Sequence, residues 1–278
     1  MIFYDPTILF IIMTIGMLGI CSGILGSFLF LQRKSLLADT IAHATLPGIT
    51  GFCLATHTKN CWFLIFAGTA SAIIATYVIH FIKQKTLLKN DTIFGIVLST
   101  ALGLGTIFLS KIQKIADAHQ TGLCKYLIGN TTTLLFQDFY QICIVTTAVF
   151  FLIIFFFRHL QIMLFDPENS ILQQRIYVIL YHCITLLTTI TIVIGLQAVG
   201  IILISALLII PACIAKLWCT SLQSFITTTT IIGLFCTSTG TIVSSKIDHV
   251  PTGPAIIAIA AILLCISLCY HYHQRNFE

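Results

Sequence analysis

Apolar residues run along this chain in long blocks, and its charged residues gather between them. Thr7–Leu31 carries no charge and stops at Gln32, Arg33 and Lys34. A shorter, more polar block, Ile41–Thr56, contains Pro47. Cys61–Ile82 ends at Lys83, Lys85 and Lys89; Thr92–Ser110 follows, rich in glycine around Gly103 and Gly105. Beyond the polar stretch Lys111–Gln137 lies Phe139–Phe157, stopped by Arg158. An apolar run from Ile176 to Ala215, interrupted at Gly195, Gln197 and Gly200, is long enough for two crossings, Ile176–Ile194 and Leu196–Ala215, or for one crossing and a re-entrant piece. Ser224–Val243 and Pro254–Tyr270 complete the set. A helix needs about 20 residues to cross a hydrocarbon core of roughly 30 Å. The pattern predicts an all-α polytopic membrane protein with about nine transmembrane helices, forming one transmembrane domain over 1–278.

Composition agrees with that pattern. The chain is 58% hydrophobic and 8% charged, where soluble domains carry about 25% charged residues. A soluble enzyme, a disordered chain and a nucleic-acid binder are excluded. The net charge of +5 comes from basic residues at the ends of apolar runs, as in membrane-protein loops. With the amino terminus outside, nine of the Lys and Arg residues fall in the cytoplasm and five on the other face. That excess sets the expected orientation. The first apolar run lacks a basic flank and is too long for a cleavable signal, so it reads as a retained span. The 11 cysteines lie singly, with no CxxC, and read as small core residues.

Misplaced polar groups then carry the chemistry. A charged side chain at a helix centre costs about 2.5–3.5 kcal/mol on insertion scales. Asp39-Thr-Ile-Ala-His43 opens the second span, and the i,i+4 spacing puts carboxylate and imidazole on one helix face. Such a pair suits Mn²⁺, Fe²⁺ or Zn²⁺, whereas Cu(I) prefers sulfur. Two ligands are too few for a site, but copies related by a two-fold axis would supply four. Asp39 could instead be a helix N-terminal acid held by the macrodipole, and His43 a ring bonded to a backbone carbonyl. Pro47-Gly48, one turn on, and Pro211 should each bend or thin a helix, through packing or beside a path. Phe165-Asp166-Pro167-Glu168 has an N-cap, a proline at the first helical position and an acid in the first turn. It predicts a short helix on the inner face, with or without a docked partner. No P-loop, HExxH or Gly-x-Ser-x-Gly occurs.

Leu25–Gly48, with Gln-Arg-Lys-Ser-Leu-Leu-Ala-Asp-Thr-Ile-Ala-His at its centre, resembles the signature of bacterial metal-ion ABC transporter permeases for zinc, manganese and iron. Asp91-Thr-Ile-Phe-Gly-Ile96, Tyr126-Leu-Ile-Gly-Asn130, Val199–Ala212 and Pro251-Thr-Gly253 match in order. The resemblance implies a type II importer-like permease in the bacterial cytoplasmic membrane. Such a permease pairs with a second permease chain, identical or related, carries ATPase subunits on its cytoplasmic face, and receives metal from an extracytoplasmic binding protein. Hydrolysis then belongs to a separate chain. The divalent metal is cargo, with no permanently bound cofactor. Asp39 and His43 take the family's intramembrane Asp and His, and Phe165–Glu168 its ATPase-coupling segment. After Glu168 the chain reads Asn169-Ser-Ile-Leu-Gln-Gln-Arg175, where relatives commonly show Ala and then Gly. An ion-coupled secondary transporter, or a scaffold without a pathway, are the alternatives.

Overall fold

The computed structural model describes residues 6–56, 61–114, 134, 136–165, 174–247 and 250–275. Within them lie nine helices: α1 Pro6–Leu31, α2 Ser35–Thr56, α3 Cys61–Lys85, α4 Asn90–Lys114, α5 Phe136–Phe165, α6 Gln174–Val199, α7 Ile201–Trp218, α8 Leu222–Lys246 and α9 Thr252–Arg275. Eight are long and apolar enough to cross a membrane; α2 is not among those eight. Yet α2 is one of the most enclosed, packed against α3, α4, α6 and α7. A helix surrounded by other helices does not have to be oily, because it meets little lipid.

Three boundaries differ from the sequence expectation. The second helix starts at Ser35, six residues before Ile41. Its predecessor ends in a tight turn: the Lys34 N–H bonds to the Leu29 carbonyl at 2.9 Å and the Arg33 N–H to the Phe30 carbonyl at 3.0 Å. Arg33 takes φ 55°, the left-handed conformation that closes such a C-terminal motif. This turn uses only Gln32–Lys34, so α2 begins at once. The charged residues there are the turn itself and not the head of a longer loop. Second, the long apolar run breaks at Gly200 and not at Gly195. Gly200 has φ 89° and ψ 168°, a region open essentially to glycine alone. Third, the helix that starts at Phe136 continues past Arg158 to Phe165.

Close backbone approach holds the bundle together. A Cβ on Gly19 would lie 2.8 Å from the Gly233 carbonyl oxygen, and one on Gly23 2.9 Å from that of Thr229. Helices α1 and α8 therefore meet backbone to backbone, which is how small residues pack helices where lipid removes the hydrophobic driving force. Gly26 presses in the same way on the Leu208 carbonyl of α7. Buried threonines satisfy themselves within their own helices, as Thr188 does on Ile184 and Thr229 on Phe225, both at 2.7 Å. That lets hydroxyl-rich segments sit inside the bundle without orphan donors.

Candidate functional site

The site is built on α2. Between Leu37 and Thr50 every residue is buried except Asp39, His43, Pro47 and Gly48. The first three are spaced i, i+4, i+8 and form one line along the helix. Apolar and small residues on the other faces fix this orientation: Leu37, Ala38, Ile41, Ala42, Ala44, Leu46 and Ile49 all pack inward. Two neighbours clamp the helix at the height of the proline. A Cβ on Gly105 of α4 would come within 2.8 Å of Leu46 Cβ, and one on Gly48 would run into the Ala67 carbonyl of α3. The Ser71 hydroxyl, also on α3, donates to the Ala44 carbonyl at 2.6 Å, and Thr40 donates across to the Phe94 carbonyl of α4 at 3.3 Å. The glycine-rich look of the fourth apolar block was the sequence signal for this clamp; the role of Ser71 had none.

Asp39 is the fifth residue of α2, so it lies beyond the first turn, and that turn holds no acid. The explanation of Asp39 as a first-turn macrodipole acid is thereby corrected. His43 Nε2 stands 3.6 Å from Asp39 Oδ1, with side-chain exposures of 22% and 35%. The distance exceeds a hydrogen bond. Two ligands of one tetrahedral ion, each about 2.1 Å from it, are separated by about 3.4 Å. The pair thus has the spacing of two donors facing one cation. His43 Nδ1 is buried without a hydrogen-bond partner, so the ring is not anchored to a backbone carbonyl as the simpler sequence reading had it. An unsatisfied buried polar atom costs about 1–3 kcal/mol, a cost that packing alone does not explain. Among the described residues no group of three or more His, Cys, Asp or Glu gathers to hold a metal. Among the described residues, Asp39 and His43 stand as a pair without a third such group beside them.

The remaining sequence candidates are placed differently. Pro211 is buried inside α7, and Phe165 is exposed at the end of α5. Asp166, Pro167 and Glu168 lie outside the described residues, as does Tyr126–Asn130. The structure joins Asp39, His43, Pro47 and Gly48 into one feature on α2, whereas Pro211 is buried inside α7.

A helical bundle whose enclosed central helix turns a carboxylate and an imidazole toward its one uncovered line is the architecture of a polytopic membrane permease. Residues 5–271 match the ABC 3 transport family, and the chain belongs to it. It is 33% identical over 267 residues to the zinc transport system membrane protein TroC of Treponema pallidum, covering 96% of this chain and 90% of that one. It is also 33% identical over 255 residues to the manganese transport system membrane protein MntC of Bacillus subtilis, covering 91% of this chain and 58% of that one. Among solved structures, PsaBC from Streptococcus pneumoniae in complex with Fab superposes with a TM-score of 0.81 at 28% identity, covering 96% of this chain and 92% of that one.

Proposed function

We infer that this chain is the membrane permease subunit of an ATP-binding-cassette importer, moving a divalent transition-metal cation across a bacterial cytoplasmic membrane. Membership of the ABC 3 transport family and the zinc and manganese systems named for its relatives support that reading. The observation that carries the mechanism is the uncovered line Asp39–His43–Pro47 on a stretch, Leu37–Thr50, that is otherwise buried except at Gly48. A carboxylate on a helix enclosed by membrane-spanning helices is tolerated only against protein or a water-filled path. A second permease chain, identical or related, covers the line from the other side and brings its own carboxylate and imidazole. Four donors then meet a cation in transit.

Carboxylate oxygen and imidazole nitrogen serve zinc, manganese and iron alike, so the pair selects this group of metals without choosing within it. Binding has to stay weak enough for release inward. ATPase subunits dock on the cytoplasmic face at Phe165–Glu168, and an extracytoplasmic binding protein delivers metal to the opposite mouth. The chain itself performs no hydrolysis.

The test is metal uptake by cells or vesicles carrying the assembled complex with Asp39→Ala. Uptake is expected to vanish while the complex still purifies intact; near-normal uptake would remove Asp39 from the route. Uptake that persists without ATP and collapses with the proton gradient would replace the ATPase-driven reading with an ion-coupled one.

A further inference from the structure

A second polar feature lies apart from the Asp39 line, at the end of the bundle where α1 turns into α2. There a cavity of about 230 Å³ opens between α3 and α6, floored by the first turns of α4. At roughly 30 Å³ per water, it holds a group the size of a small headgroup. The ionisable groups at its polar end are Lys34, Lys83, His80 and His182. Tyr77 and Tyr181 also line it, and among the described residues no carboxylate does. Among the described residues Lys34 has no counter-ion: its ammonium donates to Gln32 Oε1 at 2.9 Å and to the Tyr181 hydroxyl at 3.2 Å, and lies 4.3 Å from the centre of the Tyr181 ring. Burial, with Lys83 adding its repulsion, lowers this ammonium to about 8. Two lysines converging on a part-buried space, with no acid among the described residues, are costly unless something negative joins them.

The outer rim of the same cavity is apolar. Ile73 and Tyr77 on α3 and Leu186 on α6 line it and are exposed, and Ile74, Val78 and Ile179 continue the exposed apolar surface on either side. A free inorganic anion gains nothing from that rim. An amphiphile with an anionic head gains from both ends.

We propose that this cleft binds an anionic phospholipid, its phosphate between Lys34 and Lys83 and its acyl chains running out over Ile73 and Leu186. Basic pockets between transmembrane helices recognise anionic headgroups on the lysine-rich side of a membrane. The orientation expected from the lysine and arginine excess makes that the cytoplasmic leaflet. Lipid bound here would brace the Gln32–Lys34 turn from which α2, and with it Asp39, is hung. The binding step itself requires no transport, so its failure would leave the permease reading standing.

The experiment uses the full chain in detergent, mixed with phosphatidylglycerol, phosphatidylcholine or inorganic phosphate, and reads bound lipid by native mass spectrometry and protection by melting temperature. Phosphatidylglycerol should be retained and protective, and phosphatidylcholine should not. Lys34→Gln and Lys83→Gln should each weaken retention about fivefold, and Lys85→Gln, an exposed lysine at the same end outside the cavity, should not. Lys83 is exposed, so its variant remains informative if Lys34→Gln fails to fold. Equal retention of both lipids, an equal loss in Lys85→Gln, or full protection by phosphate alone would each overturn the proposal. So would exclusion of lipid from the cleft by a docked ATPase subunit.

Discussion

Among the described residues two helices carry an internal proline, and they use it on opposite faces. In α2, Pro47 lies half-buried on the line with Asp39 and His43. In α7, Pro211 is buried among the chain's own helices, one turn from the Leu208 carbonyl on which Gly26 of α1 presses. The uncovered side of α7 runs through Ile202, Ser205, Ala206, Ile209 and Cys213 and ends at Lys216. From Ile202 to Cys213 that side carries no charge and can lie against lipid or another subunit at little cost. The line of α2 is charged and cannot face lipid. A proline by itself therefore marks irregular backbone, and the chemistry of the open face decides what the irregularity serves.

The largest expected effect tests that division directly. His43→Ala should lower metal uptake by at least about 100-fold, since losing even an outer partner of a metal ligand costs 10- to 100-fold in affinity. Ile202→Ala, on the open line of α7 and 75% exposed, should leave uptake close to that of the parent. Equal losses in transport assays would erase the distinction between the two faces. Next in size is a packing effect at the buried side of α7. A valine at Gly26 would drive its Cβ into the Leu208 carbonyl, and overpacking of this kind costs about 2 kcal/mol. Gly26→Val should lower the melting temperature and the monodisperse yield, whereas Gly95→Val, where a Cβ meets nothing within 4 Å, should not.

A smaller effect separates the head of α2 from its centre. The Lys34 ammonium is held near 8 against an ordinary 10.5, chiefly by burial. Between those values the unfolded chain binds more protons than the folded one, so stability rises with pH across that window and is flat below it. Melting temperature in detergent, followed from pH 7.5 to 10, should climb for the parent. Lys34→Met should climb less. Identical slopes would show that Lys34 is as well solvated folded as unfolded.

Much of this was legible in the amino-acid sequence, and the failures have a common cause. The nine helices of the described residues follow from blocks of apolar residues, because the membrane imposes length and hydrophobicity on every segment that lipid touches. The Asp39–His43 pairing follows from helical periodicity alone. What the pattern mislaid was the start of α2. Ser35–Thr40 looks too polar to be the head of a span, but in a helix enclosed by α3, α4, α6 and α7 the lipid criterion does not apply. The break at Gly200 was blurred for a related reason: Gly195 sits four residues from Val199, packed against Ile204, and only backbone dihedrals tell a packing glycine from a turn glycine. The Lys34 cleft was invisible because it joins three segments distant in sequence.

The finest test returns to the two prolines. Each removes one helical N–H, leaving the carbonyl four residues earlier without that donor. For Pro47 the carbonyl is that of His43, on the uncovered line beside the imidazole, where an additional oxygen suits a hard or borderline cation. For Pro211 it is that of Leu207, which is buried. Pro47→Ala would restore the missing bond, stiffen α2 and withdraw the oxygen from the route. Uptake should fall several-fold while the melting temperature holds or rises. Pro211→Ala trades a regained hydrogen bond against lost buried ring contacts, so its stability should shift by less than about 1 kcal/mol and its uptake should stay near the parent's. If both variants lost uptake alike, α7 would have to act on the route through its shape, and the contrast between an open and a buried proline would carry no functional meaning.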